Sequence, residues 1–150
     1  MKTYFFVSLI VVVGLLTAWV TTSAAQSSFT IQVVEHADTD AVADIGPTDD
    51  SVGDVLTFAN TVFDKSNSTQ VGTDNGYCIR TAVGQAWECS WTMTLADGQL
   101  SVEGPFYDTK DSVLAIIGGT GAYQGARGQM KLHARNAEGT EYDFIYEVSH

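Results

Sequence analysis

Residues 76–95 read GYCIRTAVGQAWECSWTMTL, two runs rich in β-branched and aromatic residues on either side of a Val83-Gly84 dipeptide. Apolar and polar side chains alternate with a period of two along both runs, as expected for strands that bury one face. The pattern predicts a β-hairpin with strands at 76–82 and 85–95 and a two-residue turn between them.

The register of this hairpin predicts a disulfide. If Ala82 pairs with Gln85 across the turn, Cys78 lies directly opposite Cys89. Directly opposed residues have Cα atoms roughly 4.5–5.5 Å apart, which is within disulfide range. A bridge that closes so short a loop contributes roughly 2–3 kcal/mol. A slip of one residue in the register would break this prediction.

The same register separates an inner from an outer face. The inner face carries Cys78, Arg80, Trp87, Cys89, Trp91 and Met93. Tryptophan and methionine belong in a core, but a buried guanidinium is costly without an acidic partner. Glu35 is the candidate partner of Arg80, and the alternative is that Arg80 extends to solvent at the rim.

Short strands with the same alternation extend outward from the hairpin in both directions. They are predicted from Phe29 to near His36, and at 55–64, 99–107, 112–117, 125–135 and 140–148. In the last strand Tyr142, Phe144 and Tyr146 form an inward aromatic stripe. Residues 37–52 form an acidic loop, and 66–69 a turn. Seven to eight strands with few free edges favour an all-β, eight-stranded antiparallel barrel, whose interior holds side chains or one small ligand.

The N-terminal segment is interpreted as a signal peptide. Lys2 precedes an apolar run that ends near Val20, and small residues follow it up to Ala25. This order is typical of export with cleavage near Ala25-Gln26, and an uncleaved membrane anchor is the alternative. The prediction is a signal peptide at 1–25 and one secreted, extracytoplasmic domain at 26–150. An oxidising destination permits the disulfide.

Charge excludes several classes of partner. The formal net charge is −11, and it becomes −12 without the signal peptide, whose only charged residue is Lys2. Such a chain repels phosphate backbones and anionic lipid surfaces, so neither nucleic acid nor a membrane is expected as a partner. The histidines are scattered and do not have the spacing of a zinc site. No nucleotide-binding or catalytic-nucleophile motif stands in the sequence context that its chemistry needs. No metal and no cofactor are therefore predicted.

A family resemblance is found at 98–133, which reads GQLSVEGPFYDTKDSVLAIIGGTGAYQGARGQMKLH. The SVxGP, LAIxGGxG and GQxKL parts resemble allene oxide cyclase, and the GTGxYxxARG part is similar to the signature of plant dirigent proteins. Both belong to the allene oxide cyclase barrel superfamily, together with bacterial spirotetronate cyclases. A weaker similarity extends back through 53–81 to the first strand.

The resemblance implies an eight-stranded barrel with a central pocket that guides a reactive intermediate to one stereochemical product. Glu35 matches the carboxylate that this superfamily places late in the first strand, and Cys78 matches a pocket cysteine of allene oxide cyclase. Arg127 matches the dirigent arginine, although simple alternation turns it outward unless a bulge intervenes. The chain departs from the cyclase at Ala37, where that family has asparagine.

Together these observations predict a cofactor-free, stereoselective cyclase or isomerase acting on a small apolar substrate of polyketide or oxylipin type. Glu35, Arg80 and Arg127 are the predicted catalytic residues. The predicted pocket lining is Cys78, Trp87, Trp91, Met93, Tyr142, Phe144 and Tyr146. A dirigent-like auxiliary and a non-catalytic carrier of small ligands are the alternatives. The resemblance also leaves a homo-oligomer, dimer or trimer, open.

Overall fold

The computed structural model describes residues 27–149, and the predicted signal peptide lies outside them. No helix in this range is long and apolar enough to span a membrane. Within it the chain is all-β, with one 3-10 turn at Gly121–Tyr123. The strands are β1 Ser28–His36, β2 Ala41–Ala43, β3 Val55–Asp64, β4 Gln70–Ala82, β5 Ala86–Leu95, β6 Gly98–Tyr107, β7 Ser112–Gly119, β8 Arg127–Ala134 and β9 Glu141–Ser149.

Eight of these strands close into a barrel. The order is β1-β9-β8-β7-β6-β5-β4-β3, and β3 pairs with β1 to complete the circle. Every pairing is antiparallel, and β2 adds a short ninth strand to the edge of β3. The predicted eight-stranded antiparallel barrel is therefore confirmed.

The hairpin that predicts the fold has the expected register but a different turn. Cys78 pairs with Cys89, and the two form a disulfide with a Cα–Cα separation of 4.0 Å. Ala82 pairs with Ala86 instead of Gln85, so the predicted two-residue turn is wrong and the connection has three residues. The register shifts between Arg80 and Ala82. That β-bulge compensates for the longer turn, and the predicted pairing survives.

The barrel is filled at one end only. Side chains that are almost completely buried pack the end near the β5–β6 turn: Met93, Leu100, Met130, Tyr146 and Val148. Tyr123 and Ala126, between β7 and β8, are also buried there. We call the opposite end the loop end, because it carries the connections 37–54, 83–85, 108–111 and 135–140. The space for a ligand lies toward the loop end.

Arg80 is buried, as the alternation predicts, but its predicted pairing with Glu35 is wrong. Its Nε lies 2.6 Å from Asp50 Oδ1, and its second nitrogen lies 2.7 Å from Asp108 Oδ2. The guanidinium also stacks over Trp87, 3.9 Å from the ring centroid. Asp50 and Asp108 lie in two loop-end connections, outside the strands whose period-two pattern can be read from the sequence. Arg80 therefore ties loops to the barrel.

Candidate functional site

A cavity opens at the loop end of the barrel and measures about 400 Å³ with its open mouth included. The enclosed space that a water-sized molecule can occupy is only about 60 Å³, which is small beside the roughly 300–1,000 Å³ of small-molecule sites, so a ligand of that size would extend into the open mouth. Strands from all around the barrel contribute to its lining. The lining residues are Glu35, Asp40, Leu56, Phe58, Asn60, Cys78, Cys89, Trp91, Phe106, Leu132, Tyr142 and Phe144.

Five of the lining residues of the cavity are aromatic. Trp91 stacks on Phe144 with ring centroids 5.6 Å apart, and Phe58 meets Trp91 edge-on at 6.0 Å. Phe106 and Tyr142 form another edge-on pair at 6.0 Å. These contacts fix the rings against one another, so the wall is a preformed surface for a flat or folded apolar molecule.

Glycine at position 76 makes room for the largest of these rings. Gly76 pairs with Trp91 across the β4–β5 ladder, and a Cβ at Gly76 would lie 2.3 Å from the Trp91 Cβ. A side chain there would displace the indole. The absence of a side chain at Gly76 therefore allows the Trp91 indole to occupy its place in the cavity wall.

Glu35 is the buried acid of the cavity, and an amide holds it in place. Only 4% of Glu35 is exposed, and Asn60 Nδ2 donates to Glu35 Oε1 and to Asp40 Oδ1. The backbone N–H and the hydroxyl of Thr39 both donate to Asn60 Oδ1, at 2.9 and 3.0 Å. Asn60 is thereby fixed from both sides. Through its amide group, Asn60 connects Glu35 of β1 to Thr39 and Asp40, which follow β1 in the chain.

A second carboxyl lies beside the first. Asp74 pairs with Asn60 across the β3–β4 ladder and is completely buried. Neither of its oxygens has a hydrogen-bond partner within residues 27–149. Burial, followed by repulsion from Asp40, raises the pKa of Asp74 to about 7. An unpartnered buried carboxylate is costly, so this side chain favours the protonated form.

The surroundings of Glu35 keep it protonated at neutral pH. Burial is the main cause that raises its pKa to about 9, and the neighbouring Asp74 acts in the same direction. The hydrogen bond from Asn60 opposes the rise without cancelling it. Because Oε1 accepts from Asn60, Oε2 is the atom that can carry the proton. A neutral carboxylic acid can donate a hydrogen bond to a ligand, which a carboxylate cannot do.

Two tyrosines and the indole N–H complete the polar groups near the acid. Tyr142 lies directly opposite Glu35 in the β1–β9 ladder, and burial raises its pKa to about 12. The Tyr146 hydroxyl and the Trp91 Nε1 are buried near each other, and the interaction with Trp91 opposes the rise in the pKa of Tyr146 that burial causes. Within residues 27–149 no group of three or more His, Cys, Asp or Glu side chains is arranged to hold a metal ion.

The structure brings some of the predicted site residues together. Glu35, Cys78, Trp91, Tyr142 and Phe144 all line the cavity, and the two cysteines contribute to the wall as a disulfide.

The other predicted residues lie elsewhere. Arg80 and Trp87 form the loop-tying contact described above, and Met93 and Tyr146 pack in the filled end. Arg127 is exposed, and it donates to the carbonyl oxygen of its neighbour Ala126 at 2.6 Å. No bulge turns it into the cavity, so Arg127 stays on the outer face that simple alternation gives it.

Sequence reasoning missed Asn60, Asp74 and Asp40, as well as the apolar lining from Leu56, Phe58, Phe106 and Leu132. Period-two alternation carried along β3 would have found Leu56, Phe58 and Asn60 on one face. Asp40 lies in the acidic loop and has no such signal.

The chain matches a known family over most of its length. The allene oxide cyclase family model matches residues 27–136. This range contains eight of the nine strands and every lining residue except Tyr142 and Phe144.

Solved structures share the barrel. A pyocyanin demethylase is 25% identical over 79% of this chain and 100% of its own, with a TM-score of 0.68. AbnU, an exo-specific intermolecular Diels-Alderase, is 14% identical over 85% of this chain and 100% of its own, with a TM-score of 0.68. The pterocarpan synthase dirigent protein GePTS1 is 17% identical over 85% and 86% of the two chains, with a TM-score of 0.67. The last two likenesses are likenesses of fold.

Proposed function

The chain belongs to the allene oxide cyclase family, and from this premise we propose that it is a cofactor-free cyclase or isomerase for a small, reactive, largely apolar substrate. The observation that carries the proposal is a buried, neutral carboxylic acid, Glu35, in a cavity walled by aromatic rings. The substrate type of the sequence hypothesis, polyketide or oxylipin, is part of this proposal. So is the absence of a cofactor.

The cavity wall performs the positioning. Phe58, Trp91 and Phe144 hold a flexible conjugated chain in a folded conformation that brings its reacting ends together. Holding the two reacting ends together in a good orientation raises their effective concentration. Such positioning can lower the activation barrier by several kcal/mol. The shape of the wall also decides which face of the substrate reacts. A single stereoisomer results.

Glu35 performs the electrostatic step. Its Oε2–H donates to the substrate oxygen on which negative charge develops as the ring closes, an epoxide oxygen or a carbonyl. Asn60 holds the other oxygen of the carboxyl group, so the donor keeps its direction. The surrounding rings lower the local dielectric constant, which strengthens this interaction.

Incubation of the purified protein with a precursor tests the proposal. The precursors are a linear polyketide carrying a diene and an exocyclic alkene, and a fatty-acid allene oxide generated in the reaction mixture. Product is followed over time by chiral chromatography. We expect faster ring closure and one stereoisomer with protein alone, and a rate roughly 10²–10⁴-fold lower with Glu35→Gln. Equal rates with and without protein for every precursor would reject a cyclase.

A dirigent-like role is the second candidate, supported by the shared barrel of a pterocarpan synthase dirigent protein. A dirigent protein without its own oxidising centre would change the stereochemistry of phenol coupling only when an external oxidase makes the radicals. Coupling of a monolignol with laccase, with and without this protein, distinguishes the two roles. Binding without either effect would support the carrier of the sequence hypothesis.

Export remains part of the proposal as well. The disulfide between Cys78 and Cys89 is compatible with an extracytoplasmic location. Sequencing the N-terminus of protein recovered from the medium should give Gln26 as the first residue, whereas an intact Met1 in the membrane fraction would favour the anchored alternative. The homo-oligomer stays a prediction, which light scattering of the purified protein would check.

A further inference from the structure

We propose that the substrate is longer than the barrel cavity and that its remote half lies in an adjoining cleft, where Lys110 binds an anionic end group. The cleft lies between residues 106–111 and 132–139 at the loop end, and we call it the rim cleft. The reacting half stays in the cavity beside Glu35. The inference names the shape and the end group of the substrate, and in this respect it rests on the proposed function.

The cavity alone has little room for a flexible substrate. A water-sized molecule can occupy about 60 Å³ of it, whereas small-molecule sites offer roughly 300–1,000 Å³. On the same measure the rim cleft offers about 320 Å³. Most of the space at the loop end is therefore in the rim cleft, and a ligand of ordinary size that enters the cavity would extend into it.

The cavity and the rim cleft share a wall. Phe106, Leu132 and Tyr142 line both spaces. The rings of Phe106 and Tyr142 meet edge-on and are only partly buried. The Tyr142 hydroxyl reaches the 135–140 connection, because a Cβ built at Gly139 would lie 2.8 Å from it. A chain that leaves the cavity beside these rings enters the rim cleft without leaving apolar surface.

Hydrogen bonds hold the two sides of the rim cleft in place. His133 on β8 donates from Nδ1 to Asp111 Oδ1 at 2.7 Å, which joins one side to the other. The Tyr107 N–H donates to the buried Ser112 Oγ at 2.9 Å, which fixes the 108–111 connection where it leaves β6. The rim cleft is therefore a preformed space and does not need a ligand to open it.

The acids of the rim cleft already have cationic partners. Asp108 accepts from Arg80, with a shortest distance of 2.7 Å. Asp111 accepts from His133, and this hydrogen bond raises the pKa of the histidine. Lys110 also lines the rim cleft, and it forms no ion pair within residues 27–149. The positive charge that remains without a carboxylate is therefore the charge of Lys110.

The position of Lys110 suits an anionic end group. Its Nζ lies over the Tyr107 ring, 4.1 Å from the centroid, so an aromatic face and not an acid holds the ammonium. An ammonium in this position can donate charge-assisted hydrogen bonds to a carboxylate or another small anion. Glu35 does not line the rim cleft, so an anion bound there stays out of the space that the buried acids line.

Three unreactive probes test the length and the end group. They are 2-naphthylacetate, 6-(2-naphthyl)hexanoate and 6-(2-naphthyl)hexanamide: a short acid, a long acid and a long neutral amide. Calorimetry at pH 7 in low salt gives their dissociation constants. A methylene group that leaves water improves affinity roughly three- to fourfold. We therefore expect the long acid to bind roughly tenfold or more tighter than the short acid.

A variant that fills the rim cleft tests where the long chain lies. Ala137 lines the rim cleft from an exposed position, and Ala137→Trp should weaken the long acid to about the affinity of the short acid. Unchanged binding of the short acid shows that the barrel is folded. Ala115→Trp, at an exposed position on β7 that lines neither space, is the matched control. Equal affinities of the long and short acids, or undiminished binding of the long acid to Ala137→Trp, would overturn the inference.

A second variant tests the end group. An exposed ion pair is weak, so the long acid should bind roughly two- to fivefold tighter than the long amide, and high salt should remove the difference. Lys110→Met should also remove it while the amide binds as before. Lys65→Met, at an exposed lysine in the β3–β4 turn, should change neither affinity. An amide that binds the wild type as tightly as the acid would overturn the assignment of Lys110.

The outcomes also separate this inference from the proposed function, because the probes do not react. If ring closure is accelerated but the long acid gains nothing over the short one, the extended site is wrong and the cyclase stands. If the long acid binds as expected and no precursor reacts, the rim cleft stands and the cyclase does not.

Discussion

Glu35 shows how a neighbourhood changes the chemistry of one side chain. In water a glutamate is ionised at pH 7, but burial and the adjacent Asp74 raise the pKa of Glu35 to about 9. Asn60 donates to one of its oxygens and leaves the other for a proton. Two residues thus turn a common acid into a directed hydrogen-bond donor, and both can be tested.

Glu35→Gln should reduce turnover by roughly 10²–10⁴-fold, the usual contribution of general acid catalysis. Glutamine has the shape of the neutral acid but donates a much weaker hydrogen bond. Because it needs no proton on folding, the variant should melt at or above the wild-type midpoint at neutral pH. Steady-state rates and thermal unfolding check the two halves of this prediction. Wild-type turnover in the variant would remove Glu35 from the mechanism.

Asp74→Asn should stabilise the protein at alkaline pH. The pKa of Asp74 is raised to about 7, so the folded state keeps a proton that the unfolded chain loses near pH 4. Wild-type stability therefore falls as pH rises from about 4 to about 7, whereas asparagine remains neutral throughout. The variant should melt several degrees above wild type at pH 8 and close to it at pH 4.5.

The same variant has a second readout that a merely structural role would not change. Without the charge of Asp74, Glu35 should titrate at lower pH, so the alkaline limb of the rate profile should move to lower pH. Asp97→Asn is a matched control, because Asp97 is an exposed acid in the β5–β6 turn. An unchanged pH profile in Asp74→Asn would show that the two carboxyl groups do not interact.

The sequence identifies some of these residues and not others, for physical reasons. Glu35 is predictable because it ends a clear strand and matches a family position. Asp74 is missed because the predicted strand begins at residue 76, whereas β4 begins at Gln70. Extended by two residues, the same alternation places Asp74 beside Gly76 and Cys78 on the inner face. The partners of Arg80 come from loops, which have no periodic signal.

At the scale of elements, the β4–β5 hairpin explains why the fold is predictable at all. Its register is fixed by which side chains must be buried, because a slip of one residue would turn both tryptophans to solvent. The three-residue connection and the bulge near Thr81 depart from the prediction, but the two changes offset each other. Burial determines the register more strongly than the turn does.

The disulfide of this hairpin should be a stabilising element and not a pair of reactive thiols. Cys78→Ala with Cys89→Ala should lower the free energy of unfolding by roughly 2–3 kcal/mol, since the bridge closes a short loop. Denaturant titration measures the loss. Mass spectrometry of the unreduced wild type should give a mass two hydrogens below the dithiol. Two titratable thiols in the native protein would contradict this.

Arg80 should act on the loops and not on the chemical step. Arg80→Met removes the ion pairs with Asp50 and Asp108 and should cost about 2–3 kcal/mol. Hydrogen exchange should increase in 44–54 and 108–111 in particular, where these acids lie. Turnover under conditions that keep the variant folded should fall far less than with Glu35→Gln. A loss as large as that of the glutamate variant would return Arg80 to the catalytic group.

At the scale of the whole molecule, a barrel filled at one end and hollow at the other supports the proposed chemistry. Met93, Leu100 and Tyr146 pack the closed end, and the strands that they stabilise extend to the loop end, where the cavity opens. The sequence predicts eight strands and closure. It does not predict how far the filling extends, because that depends on side-chain volumes around the full circle.

The central claim is that Glu35 is a neutral acid inside this cavity at physiological pH. Carbon-13 NMR titration of the glutamate side-chain carboxyls, with Glu35→Gln to assign the signal, measures this directly. We predict one resonance, absent in the variant, that titrates near pH 9. A resonance that titrates at the ordinary glutamate pKa of about 4.3 would contradict the account, because an ionised Glu35 could not donate the hydrogen bond on which ring closure depends.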